Sequence, residues 1–441
     1  MAFKVFKSII YFISFLPVRG VHAQDSVQKI MKSNLHFQTT YIYQVKPSFL
    51  SPYEGKNSLL GKREEQNSIT ATLFFGARLW KGGELYLNPE LAGGSGLSGA
   101  SGMAGSSNGE TVRVGNSSPT LYKARYYIKQ TFSFGLSKEW QEEEANKLGG
   151  YIFNNRLCLY IGKFSLGDLF DNNEYSNSPR TQFINWALMN NGAWDYAANV
   201  RGYTYSIAME RVVHDWTYKI AFSTLPKEAN GDKLNTNFKD SFAIAVNVQV
   251  DRTYKINHKT GHFRILGYRN EANMGNYLDA IYSMPVPDII ATRKLGRTKW
   301  GWGINADQEL GKNAGLFARM SWNDGKNETW AFTEIERTFS LGLSLKGDNW
   351  DRKNDHAGIA VVANGLSNDH KEYLAKGGVG FMLGDGALNY GPEGILEFYY
   401  NLKPANVPLW FTGDYQLVFD PGYNKDRGPV NIFSIRMHLE F

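Results

Sequence analysis

Apolar and polar residues alternate along most of this chain, and the last run shows the pattern most plainly. Phe433, Ile435, Met437, Leu439 and Phe441 fall on one face of an extended segment, and Ser434, Arg436, His438 and Glu440 fall on the other. Successive side chains of a strand point to opposite faces, so this run predicts a strand with one apolar and one polar side. Earlier segments repeat it: Leu35, Phe37, Tyr41, Tyr43 and Val45 against His36, Gln38, Thr40 and Gln44, then Ile69, Leu73, Phe75, Ala77 and Leu79 against Thr70, Thr72 and Arg78. Tyr126, Ile128, Phe132 and Phe134 oppose Lys123, Arg125, Lys129, Thr131 and Ser133. Further apolar sets are Tyr203 to Met209, Trp216 to Phe222, Phe242 to Val250, Leu316 to Trp322, Phe339 to Leu345 and Leu409 to Phe419. Turn signals such as Asn323-Asp324-Gly325, Lys346-Gly347-Asp348 and Gly384-Asp385-Gly386 separate the runs.

After Val18 no window approaches 18 uninterrupted apolar residues, and the mean hydropathy is −0.39, which excludes helical membrane spans. A transmembrane antiparallel β-barrel has this appearance, because lipid takes only every second side chain and a wet interior takes the rest. The expected fold is therefore all-β, a single barrel of about 16 strands with a water-filled lumen, each strand with its loop using roughly 26 residues. Aromatic residues make up 14% of the chain, enough for girdles at both membrane interfaces.

The N-terminus supplies the compartment. Lys4 and Lys7 precede an apolar run from Ile9 to Val18, and Val21-His22-Ala23 offers small residues where a signal peptidase cuts. Residues 1–23 read as a signal peptide and residues 24–441 as an outer-membrane barrel of a Gram-negative bacterium. Removing Lys4, Lys7 and Arg19 takes the balance of 48 basic and 42 acidic residues to 45 − 42 = +3, and no basic cluster exceeds Lys62-Arg63, so nucleic acid is not an expected partner. The single Cys158 rules out an intrachain disulfide and a cysteine-based metal site, and it reads as a small side chain packed in a strand.

Two segments break the alternation. Residues 92–109 are too rich in glycine for a strand or helix and read as a loop; Gly94, Gly96 and Gly99 match a dinucleotide fingerprint, but no helix follows to meet a pyrophosphate. The second, residues 165–200, carries Asp168, Asp171, Glu174, Arg180, Trp186, Trp194 and Asp195, and predicts a short helix from Thr181 to Met189. A loop this long in a barrel is expected to fold into the lumen, where rigid aromatics beside Asn, Asp and Arg suit sugars. The alternative is a loop that only packs on the wall. Its three carboxylates lack the EF-hand spacing, so a solvated acidic face is expected, with a structural cation left open. No metal or other cofactor is expected.

Several stretches together identify a relative. Phe37-Gln38-Thr39-Thr40, Ser51-Pro52-Tyr53, Asn57-Ser58-Leu59, Asn88-Pro89-Glu90, Ala124-Arg125 with Gln130-Thr131-Phe132, the block from Gly162 to Tyr196, and Asn424 to Val430 are similar to the carbohydrate-selective porin (OprB) family of Gram-negative outer membranes. The resemblance runs nearly from end to end. It implies a 16-stranded barrel that passes monosaccharides and related small solutes down their gradient, with arginines at a constriction and an inward-folded loop. The short Gln24 to Ser33 and the charged, irregular Trp140 to Lys147 depart from the family pattern.

Parity then nominates pore and solute-contact candidates. Arg78, Arg125, Lys129, Arg319 and Arg436 share the polar faces of their strands, with Glu90, Glu210, Glu397 and Asp414 as acidic partners; Asn185, Trp186, Trp194 and Asp195 come from the long loop. Opposed arginine and carboxylate rows hold hydroxyls weakly enough to let solute leave; an ion pair that only braces the wall is the rival reading for each arginine. Other functions stay open: a general or anion-preferring porin, or a polysaccharide export channel. A barrel hydrolase lacks support, since neither G-x-S-x-G nor H-E-x-x-H occurs, and no catalytic residue is assigned. Expected partners are carbohydrate solutes, outer-membrane lipid, the barrel-assembly machinery through the strand ending in Phe441, and other copies of the chain in a homo-oligomer.

Overall fold

A computed structural model describes residues 30–111, 117–237, 243–384, 386 and 388–441. The signal-peptide reading of residues 1–23 lies outside them, as do Phe242 and Asp385 of the expected strand and turn.

Alternating segments become strands: β1 (Ser33–Lys46), β2 (Glu64–Trp80), β3 (Gly83–Gly94), β4 (Thr120–Ser133), β5 (Lys138–Gln141), β6 (Gly150–Phe153), β7 (Asn155–Phe164), β8 (Thr204–Val213) and β9 (Trp216–Thr224). The second half adds β10 (Ile244–Ile256), β11 (Lys259–Met274), β12 (Lys294–Gly311), β13 (Ala314–Asn323), β14 (Arg337–Lys346), β15 (His356–Gly365), β16 (Glu393–Leu402), β17 (Leu409–Phe419) and β18 (Val430–Glu440). All except β5 and β6 form one closed antiparallel barrel of sixteen strands. Closure removes every sheet edge, the condition for crossing a membrane with strands. β1 and β18 meet with Tyr41 opposite Met437, and Phe37 and Phe441 exchange both backbone hydrogen bonds, at 2.7 and 2.9 Å.

The two faces follow the sequence pattern. Phe433 and Ile435 are exposed on the outer wall while Ser434, Arg436 and His438 are buried inside. Trp300 and Trp322 meet edge to face on the outer wall with ring centroids 5.1 Å apart, and Tyr126 and Tyr205 share a hydroxyl hydrogen bond of 2.7 Å, as interfacial girdles require.

Parity fails at two places. In β4, Asn88 faces Arg125 but Pro89 faces Lys123, so Ala124 is an extra residue. Such a bulge reverses the faces beyond it: Lys123, expected inside, is exposed, and Tyr122 turns into the lumen instead. Tyr203, expected on the outer set, precedes the first residue of β8 and follows Gly202 at φ +92°, which turns its ring inward.

Two-residue turns at 81–82, 214–215, 257–258 and 312–313 gather at the end that carries the chain termini. The charged stretch from Trp140 to Lys147 lies there too, inside the β5–β6 hairpin, whose tip folds under β1: Asn34 Nδ2 donates to Lys147 O at 2.9 Å and His36 Nε2 lies 3.0 Å from a Glu143 oxygen. The long loops gather at the other end. They carry α1 (Trp186–Met189), α2 (Tyr277–Ser283) and α3 (Asn368–Ala375).

Residues 165–203 run into the lumen. The expected helix there is one turn, α1, because Ile184 and Asn185 give their N–H groups to Glu397 (2.6 and 3.0 Å) rather than to a preceding turn, and Asn185 then caps Ala187. With the neighbouring loops this segment fills much of the long-loop half with apolar side chains, including Phe183, Leu188, Met103 and Leu383. The lumen stays roomy toward the termini, in cavities of about 1000 and 520 Å³, and is narrow above them.

Candidate functional site

The narrow part is a cavity of about 110 Å³, bounded by the Gly-rich loop, residues 180–186 and 200–203, and the strand ends of β2–β4. Its centre is a chain of charges. Glu90, buried on β3, accepts from Thr72 Oγ1 (2.6 Å), from the Tyr122 hydroxyl and from Tyr203 OH (3.0 Å). Arg180 Nη2 lies 3.7 Å from Glu90, and its Nε donates to Glu110 Oε2 at 3.0 Å. Glu110 is fixed in turn by Thr70 Oγ1 at 2.7 Å. Burial opposes the Arg180 charge, and the carboxylates of Glu110 and Glu90 outweigh it, holding the guanidinium above its ordinary value.

An aromatic wall stands beside these charges. Trp186 stacks on Phe332 with centroids 4.5 Å apart and planes at 25°, and Tyr196 and Trp194 extend the group inward. Arg201 lies over the Tyr122 ring at 4.3 Å and 4.0 Å from Asp232; its Nη1 is buried with no hydrogen-bond partner among the described residues. Thr111 Oγ1, also lining the cavity, likewise has no partner among the described residues. The site therefore offers flat apolar rings, paired charges and two free polar atoms to whatever enters, which is how polyhydroxylated rings are held.

This chain matches the carbohydrate-selective porin, OprB family, over residues 65–441. It belongs to that family. The solved high-pH structure of Pseudomonas putida OprB is similar in fold, with a TM-score of 0.68 at 15% identity over 93% of this chain and 94% of that one. The outer membrane channel DcaP of Acinetobacter baumannii follows at a TM-score of 0.50 and 10% identity, covering 93% of this chain and 97% of that one. No curated protein sequence matches. The chain is thus a multi-pass outer-membrane porin for carbohydrates, a channel by family and fold; the short turns face the periplasm and the long loops the exterior.

In this porin the residues nominated by parity divide into three groups. Glu90 and Trp186 line the narrow cavity, and Arg125 stands beside it: Arg125 forms a two-pronged pair with Asp168, both contacts 2.7 Å, and its guanidinium lies over the ring of Tyr203, a lining residue, at 5.0 Å. Arg78, Lys129 and Glu210 line the roomy periplasmic cavity, where Glu84 lies 3.8 Å from Arg78 and 3.4 Å from Lys129. Cys158 lines the same cavity.

The remaining seven hold the loop. Arg319 reaches Asp171 Oδ1 (3.3 Å) and the carbonyls of Leu188 (2.8 Å) and Ser176 (2.6 Å). Glu397 takes two loop N–H groups, Arg436 donates to Pro179 O at 2.6 Å with Asp414 3.8 Å away, and Asn185 Nδ2 donates to Gln416 at 3.0 Å. Trp194 Nε1 donates to Asn247 at 2.9 Å. Asp195 accepts from the N–H groups of Trp330 and Ala331 (3.0 and 2.9 Å), and burial pushes its carboxyl up to about 6 against the pull of Lys299 and those donors. All seven are buried, and the loop covers the four that stand on strands, Arg319, Glu397, Asp414 and Arg436. Asp168 and Asp171, weighed as cation ligands, are each engaged by an arginine.

Sequence reasoning missed Glu110, Tyr122, Arg201, Tyr203 and Phe332, and noted Arg180 without assigning it to the pore. Glu110 and Arg201 sit on loops, where parity has no meaning; Tyr122 and Tyr203 were hidden by the bulge and by Gly202. The Asn-Gly-Glu ending of the Gly-rich loop, residues 108–110, was the one local signal available, since Asn108 Oδ1 accepts from the Glu110 N–H at 2.9 Å.

Proposed function

We propose that small neutral sugars cross this porin by resting a ring face against Trp186 and Phe332 while their hydroxyls exchange hydrogen bonds with Arg180, Glu110, Arg201 and Thr111. The observation that carries this reading is the 4.5 Å Trp186–Phe332 stack in one cavity with the Glu90–Arg180–Glu110 chain. Adjacent paired charges of both signs give directional donors and acceptors with little net attraction for an ion, so binding stays weak enough for release. Below the constriction, Arg78, Lys129 and Glu84 line a wide exit and supply hydration rather than a second tight site.

Single-channel recording in planar bilayers tests the reading. Millimolar glucose should reduce the current through the open pore in a saturable way. Strong anion selectivity without sugar block would instead favour a general or anion-preferring pore, the reading that the free Arg201 Nη1 keeps in view.

The same proposal extends to the whole chain. Residues 1–23 act as a cleaved signal peptide, the strand ending in Phe441 is offered to the barrel-assembly machinery, copies of the barrel associate in the membrane, and the protein carries no catalytic activity. Purified protein that hydrolysed esters or glycosides would remove the last of these.

A further inference from the structure

The outer wall carries a polar feature that sugar passage does not use. Arg337 is the first residue of β14, exposed, with Trp322 as its register partner on one side and Gly365 on the other. That glycine lets the Tyr390 hydroxyl come close to the wall: a Cβ built there would meet it at 3.3 Å, with Arg337 Cβ at 3.8 Å and Arg337 O at 4.0 Å. Lys371 of α3 extends its Nζ over the Tyr390 ring at 4.0 Å, and the Tyr390 hydroxyl, which accepts from Leu366 N, has no acceptor for its own proton among the described residues. Neither Arg337 nor Lys371 forms an ion pair among the described residues, and Glu336, beside Arg337 in sequence, is fully buried and turned to His370 and Ser367. The two neighbouring cations repel each other, and burial together with Arg337 holds Lys371 below its ordinary value against the weaker opposing pull of Glu336. Directly beneath them, Phe339, Leu341, Ile359 and Val361 give an exposed apolar strip on the same two strands. The Trp300–Trp322 pair sets this level as the outer membrane interface.

We propose that Arg337, Lys371 and the Tyr390 hydroxyl form a binding site for the phosphate monoester of an outer-leaflet glycolipid, whose acyl chains lie on the strip from Phe339 to Val361. A phosphate there neutralises both cations with charge-assisted hydrogen bonds, beside the Tyr390 hydroxyl that Gly365 lets approach the wall. The site is separate from the lumen, so it acts on anchoring and not on sugar flux.

The full-length mature porin in detergent is titrated with bisphosphorylated lipid A, with the same lipid lacking its phosphates, and with inorganic phosphate alone, and bound lipid is counted by native mass spectrometry. Phosphorylated lipid A should bind at least fivefold more tightly than the phosphate-free form, and Arg337→Gln with Lys371→Gln should abolish that preference while leaving heat-modifiable mobility and glucose flux unchanged. Arg252→Gln, an exposed arginine at the periplasmic end, should not alter it. Equal affinity in the Arg337/Lys371 double variant, or an equal loss in the Arg252 variant, overturns the site. Displacement of bound lipid A by inorganic phosphate at equal concentration overturns the lipid assignment in favour of a free-anion site.

Discussion

Trp186 lies against Phe332 with centroids 4.5 Å apart, and both rings border the constriction although they belong to loops 146 residues apart in sequence (332 − 186). Aromatic contacts of this kind contribute about 0.5–1.5 kcal/mol beyond area burial. Replacing Trp186 with Ala should therefore weaken glucose block about three- to tenfold while raising the sugar-free conductance, since the narrow cavity widens. Sugar-titrated single-channel currents check both parts together; an unchanged block would place Trp186 off the solute path.

Arg180 between Glu90 and Glu110 sets the charge of the constriction. Glu110→Gln keeps the side-chain size but removes one negative charge next to the guanidinium. Reversal potentials in a KCl gradient should shift toward anion preference, and the sugar affinity should change by less than about threefold because the amide oxygen still accepts a hydrogen bond. Arg180→Gln should shift the potential the opposite way.

Arg319 is expected to govern the loop rather than the solute. Its partners, Asp171 and the carbonyls of Leu188 and Ser176, are all loop groups, and the pair with Asp171 is fully buried. Removing one member of a buried ion pair costs about 3–5 kcal/mol. Arg319→Met should produce noisy, enlarged openings and admit larger oligosaccharides, whereas Arg78→Gln, at the open periplasmic cavity, should leave the channel quiet. Open-channel noise and solute exclusion limits measured on the two variants would separate them.

Asp195 gives a pH dependence with a defined sign. Its carboxyl is pushed up to about 6 by burial, so between about 4, the ordinary carboxylate value, and 6 the folded protein retains a proton that the unfolded chain has lost. The contribution of this group to stability is then greatest below pH 4 and declines as pH rises through 6. Asp195→Asn removes that decline. The difference in unfolding midpoint between the native chain and the variant should change by an amount corresponding to about 3 kcal/mol between pH 4 and pH 7.5; a constant difference across that range would show that Asp195 is ionised throughout.

The sequence by itself determined the strands and their faces, because a wall between lipid and water imposes period two on every segment that crosses it: Met437 and Leu439 outward against Arg436 and His438 inward needed no other information. It also marked residues 165–200 as a segment that could not be wall, since their alternation breaks. Which inward side chains stay open to the lumen is visible only in the tertiary structure. Parity places Arg125, Arg319 and Arg436 alike, yet the loop covers the last two and leaves the first at the rim. That difference arises from where residues 165–203 cross the lumen, a path fixed by contacts with β10–β13 and β16–β18, among them Asn247, Arg319, Glu397 and Arg436, which lie far from the loop in sequence. The faces of Lys123 and Tyr203 come out opposite to the parity reading for a related reason: one inserted residue at Ala124 and one left-handed glycine at 202 reverse a side chain's direction without altering the alternation on either side.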